Sequence, residues 1–254
     1  MSPADLVARR ATAASVVADA AEMALGFFRD RGRLAIETKR PRDFVTAADR
    51  TVERHVRARL AALFPGEAVL GEEEGGEPAS RFWIVDPIDG TSNFLAGSPL
   101  WGVSLGYVVD GEPVVGAVDA PVLRESLAGA TGCGLLFNGA PFAPEPRAPS
   151  LGVVSLGDGA DDDLGEMVAL YSRLRHAGWY AHSYHCTSVS MMFAALGRLD
   201  GHLQPRTTLW DMAGGVAICR EAGLAVRTLD RGNGNHGVWA GTKAVLDACL
   251  PAGV

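Results

Sequence analysis

Residues 84 to 94 read IVDPIDGTSNF, and no other stretch restricts the chain so tightly. An apolar, strand-like run, RFWIV at 81–85, delivers Asp86, and a proline-stiffened step of three residues brings a second carboxylate, Asp89. Two carboxylates a few ångströms apart repel, so they share a site only when protonated or when a divalent cation neutralises them. An upstream loop, GEEEGGEP from Gly71, contributes Glu72 and Glu73 to the same set of hard oxygen donors. Ligation by oxygen alone selects Mg2+ or Mn2+ over zinc. Magnesium keeps waters and binds through a few carboxylates plus substrate phosphate. The plainer reading is a capped turn, because Asp-Pro and Asp-Gly are frequent loop dipeptides.

The turn that follows supplies a second half to such a site. Gly90, Thr91 and Ser92 stand at the start of a short helix, where backbone N–H groups suit a phosphate oxygen in both geometry and dipole. A local cation would also answer a question of charge, since the chain carries a net −7 and an anionic substrate needs positive charge from somewhere. That same net charge, with no clustered Lys/Arg run, argues against a nucleic-acid polymer or an anionic membrane as partner. Cys133, Cys186, Cys219 and Cys249 lie far apart with no C-x-x-C pair, which fits reduced thiols in the cytoplasm and neither a zinc knuckle nor a disulfide framework. No long apolar span is expected, and the Ala/Val-rich N-terminus, interrupted by Asp19 and Glu22, is predicted to be a helix and not a signal.

Periodicity predicts alternating elements. Residues 4–28 and 49–63 have helical spacing, the second ending at Pro65-Gly66. A short strand is expected at 69–70, one hairpin at 103–109 and 113–119 around Asp110-Gly111, and another at 126–130 and 134–137. Four prolines between 141 and 149 mark the candidate linker. Beyond it come VVSL at 153–156, a helix at 164–177, the extended stretch 179–184, a helix at 187–197, a strand at 199–204, a helix at 211–222, a strand at 237–240 and a helix at 242–250. The alternation points to a mixed α+β and α/β fold with an N-terminal subdomain over 1–140 and a C-terminal α/β subdomain over 150–254.

WIVDPIDGTSNF closely resembles the D-P-I-D-G-T-x-N-F motif of the inositol monophosphatase-like family of magnesium-dependent, lithium-sensitive phosphatases. LWDMAGG at 209–215 resembles its W-D-x-A-A-G motif, GEEEG its G-E-E loop, and DFVTAADRTVE from Asp43 its D-x-V-T-x-x-D segment. The resemblance implies a layered αβαβα sandwich and phosphomonoester hydrolysis with two or three Mg2+ ions, Mn2+ being a substitute. It implies that Glu72, Asp86 and the Ile88 carbonyl hold one ion, and Asp86, Asp89 and Asp211 a second. Glu72 meets a third through waters, with Glu73 close behind. Asp49 and Thr91 resemble the pair that orients and deprotonates the attacking water, while the Gly90 and Thr91 amides receive the phosphate. A homodimer is implied by family habit.

Each assignment has a structural alternative. Asp49 follows Thr46 at capping-box spacing, and Asp211 sits where a helix begins. Asp161, Asp162 and Asp163 read as a solvated helix N-terminus, Met191 and Met192 as core, and Lys39 as surface. For the substrate, Gln204 stands where the inositol-specific branch has a glutamate, and His185-Cys186 stand in place of that branch's small pair. Trp179, Tyr180, His182, Tyr184 and His185 could present an aromatic face or pack as core and interface. An inositol phosphate, histidinol phosphate, or a sugar or nucleoside monophosphate all stay open as the small phosphate-ester partner. A non-catalytic, metal- and phosphate-binding regulator is the alternative to an enzyme.

Overall fold

The computed structural model of the chain describes residues 1–40, 43–145, 152–159 and 162–250, with the backbone alone at 38–40 and 43–45. Pro146, Pro149, Asp161 and the Lys39 side chain therefore lie outside the described residues. In chain order the elements are α1 (Pro3–Arg29), β1 (Ile36–Arg40), β2 (Asp43–Thr46), α2 (Ala47–Leu63), β3 (Ala68–Gly71), β4 (Arg81–Asp89), α3 (Thr91–Ala96), β5 (Gly102–Val109), β6 (Glu112–Ala120), β7 (Glu125–Ala130), β8 (Gly134–Phe137) and β9 (Ala140–Phe142). They continue as β10 (Val153–Leu156), α4 (Leu164–His176), β11 (Tyr180–His182), α5 (Thr187–Ala195), β12 (Gly201–Thr208), α6 (Leu209–Glu221), β13 (Ala225–Gly232), β14 (Asn235–Gly241) and α7 (Lys243–Cys249).

Two sheets result. One has seven strands in the order β3-β4-β5-β6-β7-β8-β9, the other five in the order β11-β10-β12-β14-β13. Helices α1 and α2 cover the outer face of the first, α4 and α7 that of the second, and α5 with α6 fill the space between them. The expected αβαβα sandwich is therefore the observed one. The sequence explains the layering: Met212 through Cys219 of α6 are buried without interruption, as a helix enclosed on all sides requires. Met191 and Met192 of α5 belong to the same inner cluster, as core. Strand β4 is buried from Phe82 to Asp89, because helices press on both of its faces.

Several expectations change. The strand at 81–85 runs on through Asp89, so Asp86 lies within it and not at its end. The hairpin β1–β2 (IETKR and DFVT) and the strand β13 (AVRTLDRG) carry charged residues and offer no regular apolar alternation, so periodicity passes over them. The candidate linker opens with strand β9. The expectation that no apolar span exists also needs correcting: α1 is long and apolar enough, by length and composition, to cross a membrane. Its Ala13, Val16, Val17, Ala20, Ala21 and Ala24 are instead buried against the first sheet.

Candidate active site

Three residues apart on a regular strand, Asp86 and Asp89 would face opposite sides of the sheet. A bulge removes the conflict. Asp86 lies opposite Ser104 and Asp89 opposite Gly102, so β4 holds one extra residue between them. The irregularity also takes Pro87, which has no N–H to give the ladder. The Ile88 N–H turns back to Asp86 Oδ1 at 3.0 Å. Both carboxylates are nearly inaccessible, at 2% and 7% exposure, and both feel Asp211 in the first turn of α6. There Thr207 Oγ1 and the Thr208 N–H donate to Asp211 Oδ2 at 2.9 and 3.3 Å, so the helix-start role of Asp211 is real.

The electrostatics are those of an uncompensated cluster. Burial, and then Glu72, Asp89 and Asp211, drive Asp86 well above the usual carboxylate range. Burial and Asp211 push Asp89 up to about 6, even though the Ser188 N–H and the Cys186 thiol donate to its Oδ2 at 2.5 and 3.2 Å. Asp211 is raised as well, chiefly by burial. Every charge disturbing Asp86 is negative, and the donors are all hard oxygens, so a divalent cation of the Mg2+ type fits this set. Among the described residues no group of three or more His, Cys, Asp or Glu side chains is arranged to hold a metal ion by itself.

The Glu72 loop is fixed by two residues to which the sequence analysis gives no role. Glu53, fully buried on α2, accepts from the Glu73 and Glu74 N–H groups at 2.8 and 3.1 Å. Arg57, one turn on, donates to Glu53 and to the carbonyls of Val69 and Gly75. Gly71 makes room, since a Cβ there would collide with the Glu53 carboxylate. The available signal was a Glu/Arg pair at i, i+4 with its Glu beside the apolar stripe of α2. Glu53→Ala is expected to destabilise the fold by about 2–4 kcal/mol, because it strands two loop amides and a half-buried guanidinium. Urea unfolding measures this, and a change within about 0.5 kcal/mol, typical of a surface site, would show that the loop stands without Glu53.

The turn after Asp89 is equally constrained. Gly90 caps α3 with φ +85°, and a Cβ would meet Cys186 Cβ, His185 O and Leu100 O, each at 3.1 Å. Thr91 Oγ1 donates to the Ile88 carbonyl at 3.0 Å. Asn93 Nδ2 donates to the carbonyls of Leu100 and Tyr184 at 2.7 and 2.6 Å, tying α3 to the segment before α5. Burial, and then Asp89, raise the Cys186 thiol well above its ordinary range, so it stays a donor to the carboxylate.

These groups border a cleft of about 1010 Å³. Glu72, Asp89, Gly90, Thr91, Ser92, His185, Cys186, Gln204 and Asp211 line it, whereas Asp49, Glu73, Asp86 and Ile88 are not among its lining residues. Asp49 is buried and accepts from Thr46 N–H and Oγ1, each at 2.8 Å, so its capping box is present. Asp163 likewise caps α4. The aromatic stretch divides: Trp179 packs into the outer core, Tyr180 is exposed under Arg175, and only Tyr184 and His185 reach the cleft. His185 sits at φ +51° with Nδ1 3.2 Å from Asp158, a cleft residue that the sequence did not single out. Ser155, His202 and Arg206 are further lining residues without a motif to mark them.

Known proteins resemble this chain over most of its length. The family model described as the inositol monophosphatase family matches residues 5–251. The histidinol-phosphatase of Mycobacterium tuberculosis is 37% identical over 80% of this chain and 81% of its own length. The inositol-1-monophosphatase of Mesorhizobium japonicum is 32% identical over 86% of each chain. Among solved structures, the extragenic suppressor protein suhB from Bartonella henselae superposes with a TM-score of 0.84 at 26% identity, covering 97% of this chain and all of its own.

Proposed function

The chain belongs to the inositol monophosphatase family and is a phosphoric monoester hydrolase, and from that premise we propose that it uses Mg2+ to hydrolyse the phosphate ester of a small hydroxylated metabolite. The observation that carries the proposal is the buried, mutually repelling set of Asp86, Asp89 and Asp211 beside a polar cleft. Glu72, Asp86, Asp89, Asp211 and the Ile88 carbonyl would hold two or three Mg2+ ions, with Mn2+ as a substitute. Bound there, they would lower the pKa of the attacking water and offset charge on the leaving oxygen.

The chain's own groups supply orientation. The Thr91 hydroxyl commits its proton to Ile88 O, which leaves its lone pairs to accept from the water. Asp49 is the proposed acceptor of the hydrogen that the Thr91 hydroxyl gives up, turning from Ile88 O, as it takes one from the attacking water. The amides of Gly90, Thr91 and Ser92 would receive phosphate oxygens. Ser188 N–H and Cys186 Sγ hold Asp89 Oδ2 in place. The relatives named for histidinol and inositol phosphates support a small polar alcohol as the leaving group.

Release of p-nitrophenol from p-nitrophenyl phosphate tests the reading. Turnover that appears with Mg2+ and vanishes with chelator is expected. No turnover at any Mg2+ concentration would favour the non-catalytic binding protein, and metal-independent turnover would contradict the role given to Mg2+.

A further inference from the structure

The deep end of the cleft holds polar atoms that nothing in the chain satisfies. Ser155 on β10 and His202 on β12 are register partners on parallel strands, so their side chains leave the sheet on the same face, and Gln204 follows two residues on. That face looks toward α5, whose Thr187 donates to Gln204 Oε1 at 2.8 Å. All of them line the cleft. Ser155 and His202 are 0% and 1% exposed, yet Ser155 Oγ and His202 Nδ1 have no hydrogen-bond partner. Native interiors seldom leave such atoms unpaired, and two of them on residues that line a cleft mark a place for a ligand group or an ordered water.

The chemistry of that group follows from the tautomer. His202 Nε2 lies 3.0 Å from Gln204 Oε1, an oxygen that only accepts, so Nε2 carries the proton and Nδ1 is a bare acceptor. Burial lowers the His202 pKa to about 4, so the ring is neutral at physiological pH.

We propose that Ser155 and His202 form a specificity floor that accepts a hydroxyl or amino hydrogen from the alcohol half of the substrate. This rests on the phosphatase reading and deepens it. Among the phosphate esters that the family reading leaves open, the floor selects those with a donor group distant from the phosphate. Simple alkyl phosphates are disfavoured.

Two measurements test the floor. The first compares kcat/KM on matched esters, inositol 1-phosphate against cyclohexyl phosphate and histidinol phosphate against a plain alkyl phosphate, for the wild type, Ser155→Ala and His202→Phe. At least tenfold more loss on the donor-bearing ester than on its donor-free match is expected in both variants. Equal losses on both members of each pair would overturn the proposal and assign the orphan atoms to an ordered water only. The second needs no turnover: 15N-histidine NMR of the wild type titrated with free myo-inositol and free histidinol. The His202 Nδ1 resonance should move on saturation with at least one of them, and Ser155→Ala should weaken that binding at least fivefold. An unmoved resonance with both alcohols would overturn the floor even where p-nitrophenyl phosphate is hydrolysed. Absent hydrolysis with a shifted resonance would instead sink the phosphatase reading alone.

Discussion

Asp89→Asn is expected to lower Mg2+-dependent kcat by about a thousandfold or more, roughly 4 kcal/mol of barrier, while the protein stays folded. The carboxylate is one of three acids crowded beside the cleft. Asparagine keeps an oxygen that can accept from the Ser188 N–H, now 2.5 Å from Asp89 Oδ2, but it removes the negative charge that a cation requires. Losing one of several like charges relieves repulsion, so the metal-free variant should unfold at or above the wild-type temperature. Thermal scanning with and without Mg2+ separates these effects. A variant that unfolds well below the wild type would make Asp89 part of the framework, and one that keeps wild-type turnover would remove it from the site.

Magnesium should stabilise the protein strongly at neutral pH and little in mild acid. An acid whose folded pKa exceeds its unfolded value weakens the fold once it ionises. For Asp89 that cost is absent below about 4, grows as pH rises toward about 6, and is complete above it. A rise of about two units corresponds to about 3 kcal/mol, and Asp86 and Asp211 shift in the same direction. A bound cation offsets the cost. His202 acts oppositely, since its folded pKa of about 4 lies below the ordinary histidine value of 6.5 and its stabilising contribution is lost as pH falls between them. The absolute stability curve sums both, so the informative quantity is the increment in Tm on adding Mg2+. That increment should be largest near pH 7.5 and fade toward pH 5. An increment that does not vary with pH would show that cation binding is not linked to the acid cluster.

The chemistry of this chain was more legible than its supports. Asp86, Asp89, Gly90 and Thr91 sit in one unbroken motif, and their side chains or backbone meet in space because a single bulge corrects the strand's phase. The alternation of helices and strands followed from burial periodicity, since α6 and β4 are enclosed on both sides. The hairpin β1–β2 and the strand β13 were hidden because charged residues break any apolar alternation in their sequences, and it is their pairing that reveals them. Glu53 and Arg57 were hidden because a lone helical ion pair has many surface explanations, and only the folded loop reveals the carbonyls and amides they hold. Ser155 and Asp158 belong to β10 and the residues just after it and His202 to β12, so no spacing rule joins all three. The register between β10 and β12 does so for Ser155 and His202.

The most direct measurement is isothermal titration of the metal-stripped protein with MgCl2, alone and with inorganic phosphate present. Uptake at two or more sites per chain is expected, tightened by phosphate, accompanied by proton release near pH 6, and weakened in Asp89→Asn. If neither Mg2+ nor Mn2+ bound in the presence of phosphate, the acid cluster would not be a cation site, and metal-assisted hydrolysis in this cleft would be contradicted.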